Sequence, residues 1–233
     1  MPYRRSRARK RFDADTATLL STVREAYSRR CPSSSVRQLA LCSAVVLCSA
    51  RLESYIEDLL GDWSRSLNAP HVTTDRLPKR TRAFLLSQAG VSAYRRYVCY
   101  DDETHLLAKL EPLVGQLHYD LGIDGRAVPP FPLQSIYSDR KYPSPKNLRR
   151  LFNRLGVSNI FDDLNRVARR DTQALLTSFN DLRTELAHVG MPVGLTPDDI
   201  KAGIGNVRSL VGYIDRAFYS LVAKSIGAAS WTV

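Results

Sequence analysis

The chain has 233 residues, of which 44% are hydrophobic and 24% charged. That is the ordinary balance of a soluble globular protein with room for one large domain or two small ones. The formal charge of +11 favours an anionic partner: nucleic acid, an anionic membrane surface or an acidic protein. The longest apolar run, residues 39–50, stops at Arg51, short of the roughly 20 residues a bilayer span needs, and no apolar stretch follows the arginine-rich N-terminus as in a signal peptide. A bilayer span and a signal peptide are excluded on this reading, and a cytoplasmic protein with no membrane partner is expected.

Residues 1–12 read as a basic N-terminal arm. Arg4, Arg5, Arg7, Arg9, Lys10 and Arg11 crowd between Tyr3 and Phe12. A block of like charges repels itself and stays disordered alone. Two uses fit it: tracking nucleic-acid phosphates, or keeping the protein soluble.

The main domain is placed at residues 13–233. A first helix is expected over 13–30, capped by Asp13 or Asp15, with Leu19, Leu20, Val23 and Tyr27 at helical spacing and Cys31-Pro32 as its stop. Residues 33–67 form a long second helix. Its middle is apolar on nearly every side, which places it at the centre of the core. Asn68-Ala69-Pro70 ends it.

Residues 71–145 read as an irregular insertion. A helix capped by Thr74 or Asp75 is expected to stop at Gly90. The run from Ala93 to Tyr100 interleaves tyrosines with Arg95 and Arg96. Single-stranded nucleic-acid binders use that pattern for stacking, but tyrosines more often pack on the body with their hydroxyls wet. A helix follows over 101–121, kinked at Pro112. Residues 122–143 are turn-rich and form either an ordered loop over the body or a lid. His71, His105 and His118 read as surface or packing residues. Among Cys31, Cys42, Cys48 and Cys99 no pair has CxxC spacing, so buried reduced thiols are expected, and neither a metal nor another cofactor.

Four signals organise the C-terminal half. Ser144-Pro145 opens a short helix that Gly156 closes. From Ser158 the apolar period runs through Leu186, with Asp171 as a break and fresh cap. Gly190, Pro192 and Gly194 stop it. Thr196-Pro197-Asp198-Asp199 then opens a last helix that runs to Gly227. No strand-like alternation of useful length appears, and the expected class is all-α.

One stretch carries chemistry. Arg183 and His188 stand with four residues between them where a helical pattern closes. Arginine keeps its charge and fits phosphate oxygens with two parallel donors, and histidine moves protons near neutral pH. Asp181, Thr184 and Glu185 are the polar neighbours that would support them. On a straight helix the pair stands roughly 140° apart, with Arg183 at the edge of the buried side. Either the helix loosens before Gly190, or the arginine wraps round, or a second subunit completes the site, and the last two are favoured. The ordinary alternatives are a salt bridge from Arg183 to Asp181 or Glu185, and a His188 that bonds the last carbonyls of its helix.

Arg183-Thr184-Glu185-Leu186-Ala187-His188 resembles the motif of the HEPN superfamily, and more narrowly its RiboL-PSP-HEPN branch. Two further patches carry the likeness: residues 147–161, and Ser49 to Leu59 in the early core helix. The resemblance implies an all-α HEPN-type bundle that dimerises with both motifs facing one cleft. It also implies a metal-independent endoribonuclease of a toxin–antitoxin or antiviral system, with RNA as substrate, Arg183 and His188 as the catalytic pair, and a protein partner or antitoxin as control. The family often has Asn, Asp or His directly after the arginine; this chain has Thr184. A tyrosine two places after the histidine marks branches silenced by nucleotidyltransferases; here Gly190 stands there. A non-catalytic HEPN-type module that binds nucleic acid or protein, and a structural helical subunit, are the competing readings.

Overall fold

The computed structural model describes residues 2–28, 33–68, 72–111, 121–131, 133–137, 142–188 and 194–233, and within these the side chains of all but 88–93, 96 and 135. Among them are nine α-helices and no strand. These are α1 (Arg7–Ala26), α2 (Ser34–Leu67), α3 (Lys79–Tyr100), α4 (Glu103–Leu110), α5 (Gln134–Tyr137), α6 (Pro145–Arg154), α7 (Ile160–Ala168), α8 (Thr172–His188) and α9 (Pro197–Ser225). The fold is the expected all-α bundle. Its frame is α1, α2, α8 and α9, with α6 and α7 against α8 and α3 closing the side through α6.

The helix ends follow local chemistry. Ser33 caps α2, Ser144 caps α6 ahead of Pro145, and Thr196 and Asp199 form a reciprocal capping box at α9. Asp171 accepts from the backbone N–H of Ala174 at 2.9 Å and opens α8. Gly156 follows α6 with φ of +90°, and a Cβ there would stand 2.7 Å from Pro78. Only glycine lets the α6–α7 turn come so near α3.

The start of the chain departs from expectation. Residues 7–12 are the first turns of α1, and Ser6, not Asp13 or Asp15, is the cap. Acids from elsewhere in the fold cancel the self-repulsion of the basic block. Arg7 pairs with Asp62 at 2.7 Å, Arg11 with Asp58 at 3.2 Å, and Arg5 with Asp13 at 3.3 Å. Arg9 donates to the Tyr3 hydroxyl at 2.7 Å and lies across Gly212 of α9. Beneath this layer the carboxylate of Asp215, fully buried on α9, accepts from the Tyr3 hydroxyl (2.7 Å), the backbone N–H and hydroxyl of Ser6, and the Tyr55 hydroxyl (3.3 Å).

The insertion is more ordered than its sequence suggests. A 3₁₀ turn occupies Thr74–Arg76, and α3 starts after Pro78 and continues through Gly90 to Tyr100. One interior glycine costs a helix only about 1 kcal/mol relative to alanine, too little to stop it. The loop over 121–131 lies on the body rather than forming a lid: Arg126 and Val72 exchange short backbone bonds with Thr74 and Val128, and Leu121, Val128 and Phe131 are buried. Asp102 caps α4. Pro112, His71, His118 and Cys31 lie outside the described residues. His105 is half-buried. Cys48 is buried, which pushes its thiol up to about 12, but Cys42 is half-buried and Cys99 exposed, contrary to expectation.

The helix α2 is long and apolar enough to cross a membrane by length and composition. In the bundle it is the central helix, with Leu41, Val45, Cys48, Leu52, Tyr55, Ile56, Leu59 and Trp63 buried. Its first half is not wholly buried, as its apolar sequence had suggested. Val36, Leu39, Val46 and Leu47 are exposed, Leu39 by 67%.

Replacing Asp215 by alanine strands buried hydroxyl and backbone donors at once. It should lower unfolding stability by about 3 kcal/mol or more, measured by urea titration. Burial, then Asp215, raises the Tyr3 hydroxyl from 10.0 to about 12, and Tyr55 rises for the same reasons. The folded protein therefore holds these protons where the unfolded chain has released them. Stability from this source is complete below about pH 10 and falls as pH approaches 12. Tyr3→Phe should make that alkaline decline in melting temperature shallower.

Candidate functional site

Helix α8 carries the Arg183–His188 stretch, and its start is fixed by the corner that precedes it. Arg169 ends α7 in the left-handed region, with φ of 54°. The Asn165 side chain then accepts from both the backbone N–H and the hydroxyl of Thr172, at 2.8 and 2.6 Å. From there Thr172, Leu176, Phe179, Asn180 and Leu186 form the buried stripe. Arg183 lies three and four residues beyond Asn180 and Phe179, so helical spacing puts it at the stripe's edge, and it is half-buried. Asp181, Thr184, Glu185 and His188 are exposed.

Arg183 does not form the expected salt bridge to Asp181 or Glu185. It makes no hydrogen bond or ion pair with any described residue, and its Nε is buried without a partner. What touches it is a ring: the guanidinium carbon lies 5.4 Å from the centroid of Tyr142. Burial raises the Tyr142 hydroxyl above the ordinary tyrosine range. Arg183 and the neighbouring Thr184 side chain pull the other way, while Glu53 and Asp181 add to the rise. The chain beside Tyr142 is tied to the same helix, since the Asn180 amide donates to the Pro143 carbonyl at 3.3 Å.

Sequence reasoning missed Tyr142 and Asn180. Tyr142 sits in the turn-rich link just ahead of the Pro143-Ser144-Pro145 cap. An aromatic at that place is a signal for packing near a helix start, but nothing local names Arg183 as its partner.

Residues 189–193, including Gly190 and Pro192, lie outside the described residues, and His188 is the last residue of α8. Helix directions show what surrounds it. Tyr55 meets Val211 and Asp215, and Ser66 meets Ser230, so α2 and α9 run parallel. Phe179 meets Gly203 and Arg170 meets Asn206, so α8 runs against α9. The His188 end of α8 therefore points to the first half of α2, where the exposed ridge of Leu39, Val46 and Leu47 lies. A groove of about 490 Å³ runs beside that ridge, between α1 and α2.

The remaining nucleic-acid candidates divide. Arg5, Arg7, Arg9 and Arg11 have acidic or tyrosine partners, as described above, whereas Arg4 and Lys10 are exposed without an ion pair among the described residues. Near the end of α3, Tyr94 and Tyr100 are exposed by 53% and 79%, so these rings do not pack on the body as tyrosines usually do. Arg95 is exposed beside them, and the Arg96 side chain lies outside the described set. Among the described residues no group of three or more His, Cys, Asp or Glu is placed to hold a metal.

A family model described as RiboL-PSP-HEPN matches residues 17–220. No curated protein and no solved structure matches the chain.

A half-buried cation without a protein anion contributes little to folding, because its desolvation is not offset. Arg183→Met should therefore hold the melting temperature or raise it slightly. Arg82→Met should cost about 1–3 kcal/mol, since Arg82 is bonded to the Leu121 carbonyl and paired with Asp124. Thermal melts of the two variants side by side check this.

Proposed function

The chain belongs to the RiboL-PSP-HEPN family, and on that footing we propose that it is an endoribonuclease whose Arg183 and His188 act on one RNA phosphodiester. The observation that carries the reading is the state of Arg183: charged, half-buried, and without a hydrogen bond or ion pair among the described residues. A cation held that way favours an anion brought by a ligand. The exposed imidazole at the end of the same helix supplies a group that moves protons.

RNA carries its own nucleophile, so the chemistry asks little of the protein. A base takes the proton of the 2′-hydroxyl, and the 2′-oxygen bonds to phosphorus. The bond to the 5′-oxygen breaks, and that oxygen is protonated. His188 serves as base or acid, and Arg183 neutralises the charge that builds on the phosphoryl oxygens. The products are a 2′,3′-cyclic phosphate and a 5′-hydroxyl, and no metal is needed for either proton transfer. DNA lacks the 2′-hydroxyl and is not cut.

Arg183 and His188 project from different sides of α8, and a second copy of the chain completes the site. The exposed ridge of Val36, Leu39, Val46 and Leu47 supports this, as an apolar face at the His188 end for a homodimer to cover. RNA reaches the cleft along Arg4, Lys10 and Arg95, with the rings near the end of α3 available for stacking. The setting is a cytoplasmic toxin or antiviral effector, held in check by a protein partner. A second reading, a non-catalytic binding module, draws on Thr184. It stands where the family often has a stronger polar group.

Purified protein incubated with RNA in EDTA should yield ends with 2′,3′-cyclic phosphate, read by mass spectrometry. Arg183→Ala and His188→Ala should each lose at least about a hundredfold in rate with helicity unchanged. Salt-sensitive RNA binding by the wild type without cleavage would sink the enzyme reading and leave the binding module.

A further inference from the structure

We propose that Tyr142 is the positioning residue of Arg183, its ring holding the guanidinium by one face so that the outer nitrogens are presented to a phosphate. The proposal rests on the reading of Arg183 as a phosphate-binding cation, and goes beyond it by naming what aims that cation.

A free arginine side chain samples many rotamers, and an active arginine must be held in one. Two kinds of partner can do this. A carboxylate or carbonyl bonds the N–H edge, which uses the donors the substrate needs and, for a carboxylate, cancels the charge. An aromatic face attracts the cation through its quadrupole and occupies only the flat side of the guanidinium, leaving its in-plane donors and full charge available. Arg183 has the second arrangement. Asp181 and Glu185 neighbour it on the helix, and neither pairs with it. The Tyr142 ring stands 5.4 Å away, and the inner Nε is buried. Only the outer end of the side chain is then left to meet a ligand.

Tyr142 is itself fixed from two sides. Its carbonyl accepts from the Ser144 backbone N–H at 2.8 Å and from the Asn147 amide at 2.9 Å, which locks it to the start of α6. The next carbonyl, of Pro143, accepts from Asn180, one turn before Arg183. Ring and guanidinium are thereby referenced to the same turn of α8.

The test uses the full chain with Tyr142→Leu, Tyr142→Phe and Arg183→Ala, and two readouts. The first is the Arg183 Nε–Hε resonance, assigned by its loss in Arg183→Lys. It should show a ring-current shift and slow exchange with water in the wild type and in Tyr142→Phe, and lose both in Tyr142→Leu. The second is affinity for a 2′-O-methyl RNA, which cannot be cleaved. Tyr142→Leu should weaken it about tenfold, Tyr142→Phe should restore it, and Tyr142→Leu added to Arg183→Ala should change nothing further. If the wild type binds this RNA through both residues yet cleaves no RNA, the nuclease reading falls and the positioning role stands. If Tyr142→Leu binds like the wild type while Arg183→Ala does not, or if the resonance ignores the ring, the positioning role is overturned and the nuclease reading is untouched.

Discussion

The carboxylate of Asp215 is the constraint on which the bundle depends. It lies fully buried on α9 and is approached only by donors: two tyrosine hydroxyls, and a serine that offers both its hydroxyl and its backbone N–H. A charge in that position is tolerated only with nearly all of its hydrogen-bonding capacity used. Satisfying it brings the start of α1, the middle of α2 and the body of α9 to one point. The arginines above it then have no choice of position. They lie along α1 where Asp13, Asp58 and Asp62 receive them, and a stretch that would repel itself in solution becomes an ordered helix.

Arg183 is the counterpart of that logic. At the N-terminal end of the bundle Arg5, Arg7 and Arg11 are each paired with an acid. At the edge of α8 an arginine has acids on either side in sequence and is held by a ring instead. Pairing stabilises the fold and removes a charge from use, while a ring holds the charge and leaves it in use. The contrast is between arginines whose charge is neutralised within the bundle and Arg183, whose charge is not.

Elements whose ends depend on neighbouring residues were legible in the sequence. Ser33, Ser144, Asp171 and the Thr196–Asp199 box all mark helix starts where the structure has them, because a cap is a contact across three residues. What was not legible depended on distant parts. Ser6 caps α1 under a carboxylate that lies 209 residues away in sequence. Leu39 is exposed on α2, and its own apolar neighbours gave the opposite expectation. Of the candidate site, Arg183 and His188 could be named from their spacing. The Tyr142 ring could not, since its meeting with Arg183 is made by the packing of the α6 start against α8. Helix α3 runs on past Gly90, against the local signal, because one interior glycine costs too little to stop a long helix.

The Asp215 cluster has a consequence for how the protein is born. A ribosome releases α1 and α2 first, yet the group that locks them together belongs to the last long helix. Until α9 emerges, Tyr3 and Ser6 at the start of α1 have no Asp215 to meet, and α8 has no wall for Phe179 to lie against. A nascent or truncated chain thus lacks the support that sets the Arg183 turn. An unfinished copy, still attached to its own messenger, has the Arg183 helix without the wall it packs on in the complete bundle.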